Sequence, residues 1–223
     1  MGKSPDANAG IERTIVATTH GRYLVEPVAG APVLTGFHGY AESADLQMDR
    51  LRTIPGADRW TIVSIQGLHR FYDRRANSVI ASWMTRQDRE LAMADNRAYV
   101  NAVLDAEWRA HRGGRGVVFA GFSQGVAMAF RAAAGSGKPI LGVIAVGGDV
   151  PPELDREALG GLSHVLLMRG TRDQWYTVDT FQRDQTRLRG AGVHVNAIEF
   201  DGGHEWTAPV LEAAAHFLKE RRA

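Results

Sequence analysis

Residues 116–134 read GVVFAGFSQGVAMAFRAAA, and this stretch decides the fold. Gly116 to Gly121 is a short apolar run of the kind that forms a buried strand. The small and apolar residues from Val126 to Ala134 follow at once as a helix. Between them, Gly121-Phe122-Ser123-Gln124-Gly125 matches G-x-S-x-G in the strand, sharp turn, helix setting that gives the motif its meaning. Such a turn strains the serine backbone and lifts Oγ clear of the sheet end. Glycines two residues to either side let strand and helix backbones approach where a Cβ would collide. The first N–H groups of the helix have no intrahelical partner and can receive developing negative charge. The bland alternative is a chance pentapeptide in a chain of 25 glycines. The flanks VVFA and VAMAFRAAA weigh against it.

Ile11–Thr18 and Arg22–Pro27 read as two strands around His20-Gly21, an N-terminal antiparallel hairpin. Pro32–Phe37, Trp60–Gln66, Ile140–Val146, His164–Arg169 and Val193–Phe200 are further strands. Helices are expected around Ala44–Leu51, over Arg86–His111 up to Gly113-Gly114, over Thr177–Arg189 up to Gly190, and over Ala208–Lys219. Nearly continuous Val, Ile and Leu runs alternating with helices indicate a mostly parallel central sheet with helices on both faces. Residues 1–10, MGKSPDANAG, read as a frayed polar end and not a signal peptide. Residues 11–223 read as one domain, with 67–85 a cap element or a long loop.

Composition narrows the function classes. The chain has 26 Lys and Arg against 25 Asp and Glu, a formal charge of +1. These charges alternate in sign, so no basic surface for nucleic acid is expected. No cysteine is present, which excludes disulfides, thiolate nucleophiles and cysteine-held metals. No apolar run reaches the 18 residues of a membrane span, so no stable membrane association is expected.

Serine is a weak nucleophile without a base in hydrogen-bond reach. For a serine on this kind of turn, the acid and then the histidine follow along the chain. That leaves His164, His194, His204 and His216. The first two precede or enter strands and His216 lies within the last helix. His204, in FDGGHEW after the last strand, follows two glycines that let the loop bend back over the carboxyl edge of the sheet. The acid candidate is Asp173 in RGTRDQW, directly after the strand SHVLLMR. Asp149 in GGDV is its main rival and Asp201 the weaker one. A helix-capping role for Asp173 is the structural alternative.

An oxyanion needs two convergent donors. The backbone N–H of Gln124 supplies one, and the loop Phe37-His38-Gly39-Tyr40 the other, through the Tyr40 N–H. His38 is read as a brace for that loop. Phe71, Tyr72, Trp83, Trp175 and Trp206 are candidates for a substrate pocket, Trp175 and Trp206 foremost because they lie near the proposed acid and base.

These pieces together resemble the phospholipase/carboxylesterase family of α/β-hydrolases, relatives of the acyl-protein thioesterases. Phe37-His38-Gly39, Gly121-Phe122-Ser123-Gln124-Gly125, Gly170 with Asp173, and Gly202-Gly203-His204-Glu205 carry the likeness, in the family's order. The resemblance implies an α/β-hydrolase fold and a cytoplasmic serine carboxylesterase acting on a small-molecule ester, a monomer or homodimer without metal or organic cofactor. Two positions depart from the family pattern: Ala41 stands where a glycine is common in the first loop, and Val126 where a second glycine often follows GFSQG. A thioesterase or amidase using the same residues, or a non-enzymatic binding protein of the same fold, are the competing readings.

Overall fold

The computed structural model describes residues 11–73, 77–111 and 114–222. Residues 1–10, read above as a frayed end, lie outside them, as does Gly113. The elements are β1 (Tyr23–Glu26), β2 (Val33–Phe37), α1 (Ala44–Arg52), β3 (Thr61–Ile65), β4 (His69–Asp73), β5 (Ser78–Ser82), α2 (Arg89–Ala110) and β6 (Val117–Phe122). There follow α3 (Gln124–Gly135), β7 (Ile140–Val146), α4 (Arg156–Gly160), β8 (His164–Gly170), α5 (Val178–Gly190), β9 (His194–Phe200) and α6 (Ala208–Arg222).

Seven strands form the central sheet in the order β1-β3-β2-β6-β7-β8-β9. Only β1 runs antiparallel, against β3; every other pairing is parallel. Strand side chains alternate between two cores, which explains the unbroken apolar runs. In β6, Val117 and Phe119 enter one cluster with α2, α3 and α5, while Val118, Ala120 and Phe122 enter the other with α1 and α6. Helices therefore cover both faces, as expected.

The N-terminal antiparallel pairing is present, with β3 as the partner of β1. Ile11–Thr18, expected as the other arm, belongs to no strand, and Ile15 and Val16 are more than nine-tenths exposed. The reason is burial: Tyr23 and Val25 pack on one cluster and Leu24 on the other, whereas a strand beyond β1 would have no core to cover. The 67–85 segment holds a separate two-stranded antiparallel ribbon, β4 with β5. Its β4 is largely exposed, so no periodic apolar pattern marks it. The five-residue α4 is likewise too short to leave a pattern.

The chain starts the parallel sheet at β2, adds β3 on one side, then crosses to β6 on the other. The loops after β2 and β6 diverge at this switch point, where open sheets form their clefts.

Candidate active site

Ser123 stands between β6 and α3 with φ 51° and ψ −121°, a sparsely populated conformation costing about 1–3 kcal/mol. Two contacts explain the glycines of the motif. A Cβ on Gly121 would lie 2.5 Å from the Gly125 carbonyl oxygen, and one on Gly125 would lie 2.1 Å from that of Phe37. The second glycine thus serves the packing of α3 against the end of β2, not only against its own strand. Gly148, past β7, is equally tight: its Cβ would lie 2.3 Å from the Ser123 carbonyl oxygen.

His204 Nδ1 lies 2.8 Å from Asp173 Oδ2. The carboxylate accepts, so Nδ1 carries the proton and Nε2 is left with its lone pair. Asp173 is almost fully buried, and its other oxygen accepts from the backbone N–H groups of Trp175 at 2.8 Å and Tyr176 at 3.0 Å. Neither rival is the carboxylate bonded to His204: Asp149 is solvent-exposed, and Asp201 pairs with Arg172 at the surface. His164 and His194 stack on each other at the start of β8 and β9, and His216 pairs with Glu220 on α6.

Sequence spacing gives no sign of what holds the Asp173 loop. The buried Arg169 donates from Nε to the Tyr176 carbonyl at 2.7 Å, and from Nη2 to those of Thr171 and Asp173 at 3.4 and 3.5 Å. Its remaining Nη1 reaches Glu199 on β9 at 2.5 Å.

The loop after β2 is pinned by a different device. Glu42 Oε2 accepts from the Gly39 N–H at 2.6 Å, and both carboxylate oxygens accept from Arg50 of α1 at 2.6 and 2.7 Å. The Ala41 N–H donates to Ala81 of β5. Between these two engaged groups, the Tyr40 N–H has no acceptor among the described residues. Ala41 adopts φ 58°, which explains why glycine is common at this position of the family pattern. His38 is fully buried, and its Nε2 accepts from the Gly67 N–H at 3.0 Å, so Nδ1 donates to the Gly39 carbonyl at 2.7 Å. Burial holds the imidazole below the ordinary histidine range, in keeping with a neutral brace.

The Gln124 side chain ties the turn to the 67–85 segment. Its Oε1 accepts from Ser82 Oγ at 3.1 Å and the Trp83 N–H at 2.9 Å, and its Nε2 donates to the Met84 carbonyl at 3.0 Å. Trp83 is a correction to the expected pocket. Its side chain is wholly buried, stacks on His38, and donates from Nε1 to the His38 carbonyl at 2.8 Å. The indole N–H needs an acceptor, and the loop carbonyl supplies it.

Ser123, Gln124 and His204 line one cavity of about 340 Å³, with Trp175, Tyr176, Thr180, Arg183 and Asp149 in its wall. Of the expected pocket aromatics, Trp175 lines this cavity and is 84% exposed. Phe71, Tyr72 and Trp206 are not in that wall. Phe71 sits 6.1 Å from the Tyr40 ring and Tyr72 is solvent-facing on β4, while Trp206 packs edge-on to Phe122. A larger groove of about 1100 Å³ lies at the opposite edge, where the strands begin, and holds none of the candidate catalytic groups.

A parallel sheet wound on both faces, with a strained serine at its switch point and a histidine held by a buried aspartate, defines an α/β-hydrolase. The Phospholipase/Carboxylesterase family matches residues 28–221, and the chain belongs to that family. Solved structures share its fold. Esterase PE8 superposes with a TM-score of 0.73 at 20% identity, covering 91% of this chain and 99% of that one. The Bacillus cereus carboxylesterase gives 0.73 at 17%, covering 90% and 94%. The Zea mays acyl-protein thioesterase 2 gives 0.71 at 17%, covering 92% and 100%. No curated protein shows a significant sequence match. No helix among the described residues is long and apolar enough to cross a membrane.

Proposed function

We propose that the protein is a serine carboxylesterase that hydrolyses small to medium esters through an acyl-enzyme. Ser123 Oγ attacks the ester carbonyl carbon while His204 Nε2 takes its proton. The carbonyl oxygen becomes an oxyanion facing the N–H groups of Tyr40 and Gln124. When the intermediate collapses, the C–O bond to the alcohol breaks and His204 returns the proton to the departing oxygen. Water, deprotonated by the same imidazole, then attacks the acyl-enzyme and releases the acid. Asp173 holds the imidazole in its Nδ1–H form and offsets the charge of the imidazolium without taking the proton.

The observation that carries this reading is the 2.8 Å contact of His204 with the buried Asp173, in a loop whose imidazole shares a cavity with a strained serine. The family supports ester or thioester hydrolysis as the reaction class. In this reading residues 11–223 form one domain, and the 67–85 segment borders the site as a cap. A cytoplasmic setting, a monomer or homodimer, and independence from cofactors follow from the family resemblance alone.

The test is labelling with a fluorophosphonate probe. One adduct by intact mass, lost in Ser123→Ala, is the expected result; labelling elsewhere, or no labelling while ester turnover persists, overturns it. Turnover of p-nitrophenyl esters, acyl thioesters and anilides then separates esterase from thioesterase and amidase.

A further inference from the structure

We propose that the Ser123 cavity selects esters that carry a carboxylate, and that Arg183 with the Thr180 hydroxyl is the element that binds it. The proposal rests on the reading of Ser123 as nucleophile. Thr180 and Arg183 are three residues apart on α5, hence on one face of the helix, and both line the cavity that holds Ser123 and His204.

The other arginines near the site are committed to partners. Arg50 spends its guanidinium on the two oxygens of Glu42, Arg169 on Glu199 and backbone carbonyls, and Arg187 on the carbonyls of Val150, Pro151 and Leu154. Arg183 has a single polar contact among the described residues, to Asp184 Oδ1 at 3.4 Å. Charge-assisted bonds run at about 2.7–2.9 Å, so this contact leaves the planar fork of five donors largely uncommitted.

Asp184 is no match for it. Its side chain is wholly buried while that of Arg183 is 56% exposed. Asp184 Oδ2 accepts from the Val150 N–H at 2.9 Å and the Tyr176 hydroxyl at 3.2 Å, and its Oδ1, which faces Arg183, also lies 3.9 Å from Arg187. The other charge in the cavity wall, Asp149, is solvent-exposed, where water and salt screen it. A guanidinium with donors to spare, in the wall of a reaction cavity, fits the two oxygens of a carboxylate.

Two matched ester pairs test this. On the acyl side, p-nitrophenyl hydrogen glutarate is compared with p-nitrophenyl 5-methylhexanoate; on the alcohol side, 4-acetoxybenzoate with phenyl acetate. The wild type is expected to prefer the anion in kcat/KM in at least one pair. Arg183→Gln lowers that preference by roughly tenfold or more, the range for a hydrogen bond to a charged group, and Arg183→Glu inverts it. Probe labelling of Ser123 in each variant verifies the fold. Added sodium chloride erodes the wild-type preference, which tests the charge without a substitution. No preference in either pair, or one unchanged by Arg183→Gln and by salt, overturns the inference while ester turnover leaves the Ser123 reading standing. Loss of turnover with every ester, together with loss of probe labelling in the wild type, sinks both.

Discussion

The loop after β2 and the loop after β8 meet at the same rim of the sheet, and each is held by an arginine–glutamate pair used in opposite ways. In the first, the carboxylate touches the backbone: Glu42 removes the Gly39 N–H, and Arg50 steadies Glu42. In the second, the guanidinium touches the backbone: Arg169 donates closely to the Tyr176 carbonyl and at longer range to those of Thr171 and Asp173, and Glu199 steadies Arg169. In the proposed mechanism the difference follows from what each loop presents. The first offers one N–H donor, so neighbouring donors are taken up by an acceptor. The second offers a carboxylate to His204, so its carbonyls are taken up by donors that also counter the local negative charge. Under that mechanism the polarity of each clamp complements the group its loop presents.

The largest break in this comparison is at the group the second loop carries. Asp173→Asn keeps the shape but favours the wrong imidazole tautomer, and kcat for a p-nitrophenyl ester is expected to fall by about 10⁴-fold with the melting temperature little changed. Retained activity in this variant, with loss in Asp149→Asn, would reverse the assignment of the acid.

The clamps come next, and their signatures differ. Arg169→Met leaves the carbonyls unpaired and lets Asp173 shift; kcat falls by about 10²-fold, as for misplacement of roughly 1 Å, and the acid limb of the pH–kcat profile moves. Glu42→Gln keeps an acceptor for the Gly39 N–H but loses the ion pair. Here kcat falls by roughly tenfold through a less well aimed Tyr40 N–H, while KM and the shape of the pH profile stay as they were. If both variants move the pH profile alike, the two loops are not functionally distinct.

The smallest effect concerns stability at the first loop. Burial lowers the His38 pKa, so the unfolded chain binds the proton more readily than the fold does. The contribution from keeping His38 neutral is full above the unfolded value of about 6.5. It is lost as pH falls from there through the lower folded value. Melting temperatures of wild type measured downward from pH 7 should decline more steeply than those of His38→Gln; parallel curves would remove His38 as the acid-sensitive brace.

How much of the molecule is legible in the amino-acid order depends on how local each physical requirement is. Ser123 is legible because its turn demands glycines at fixed neighbouring positions, and His204 because Gly202 and Gly203 mark a loop that bends back. The parallel strands show in runs such as ILGVIAV, buried on both faces. The clamps do not show: Glu199 lies thirty residues from Arg169, and nothing periodic links them. Arg183 looks like any helix-borne surface charge. Trp83 misleads because an aromatic in an irregular stretch looks the same whether it faces substrate or, as here, fills the space beside His38.

The attachment of β4 and β5 has a consequence for how such a protein can change. Gln124 lends its main chain to the turn at Ser123 and its amide to residues 82–84, and two of its three contacts there are with main-chain atoms. The latch therefore reads a backbone shape and is almost indifferent to which side chains the ribbon displays. A ribbon of altered length or lining could replace this one, provided its last residues return along the same path and keep the contacts of Ala81 and Trp83 with the loop after β2.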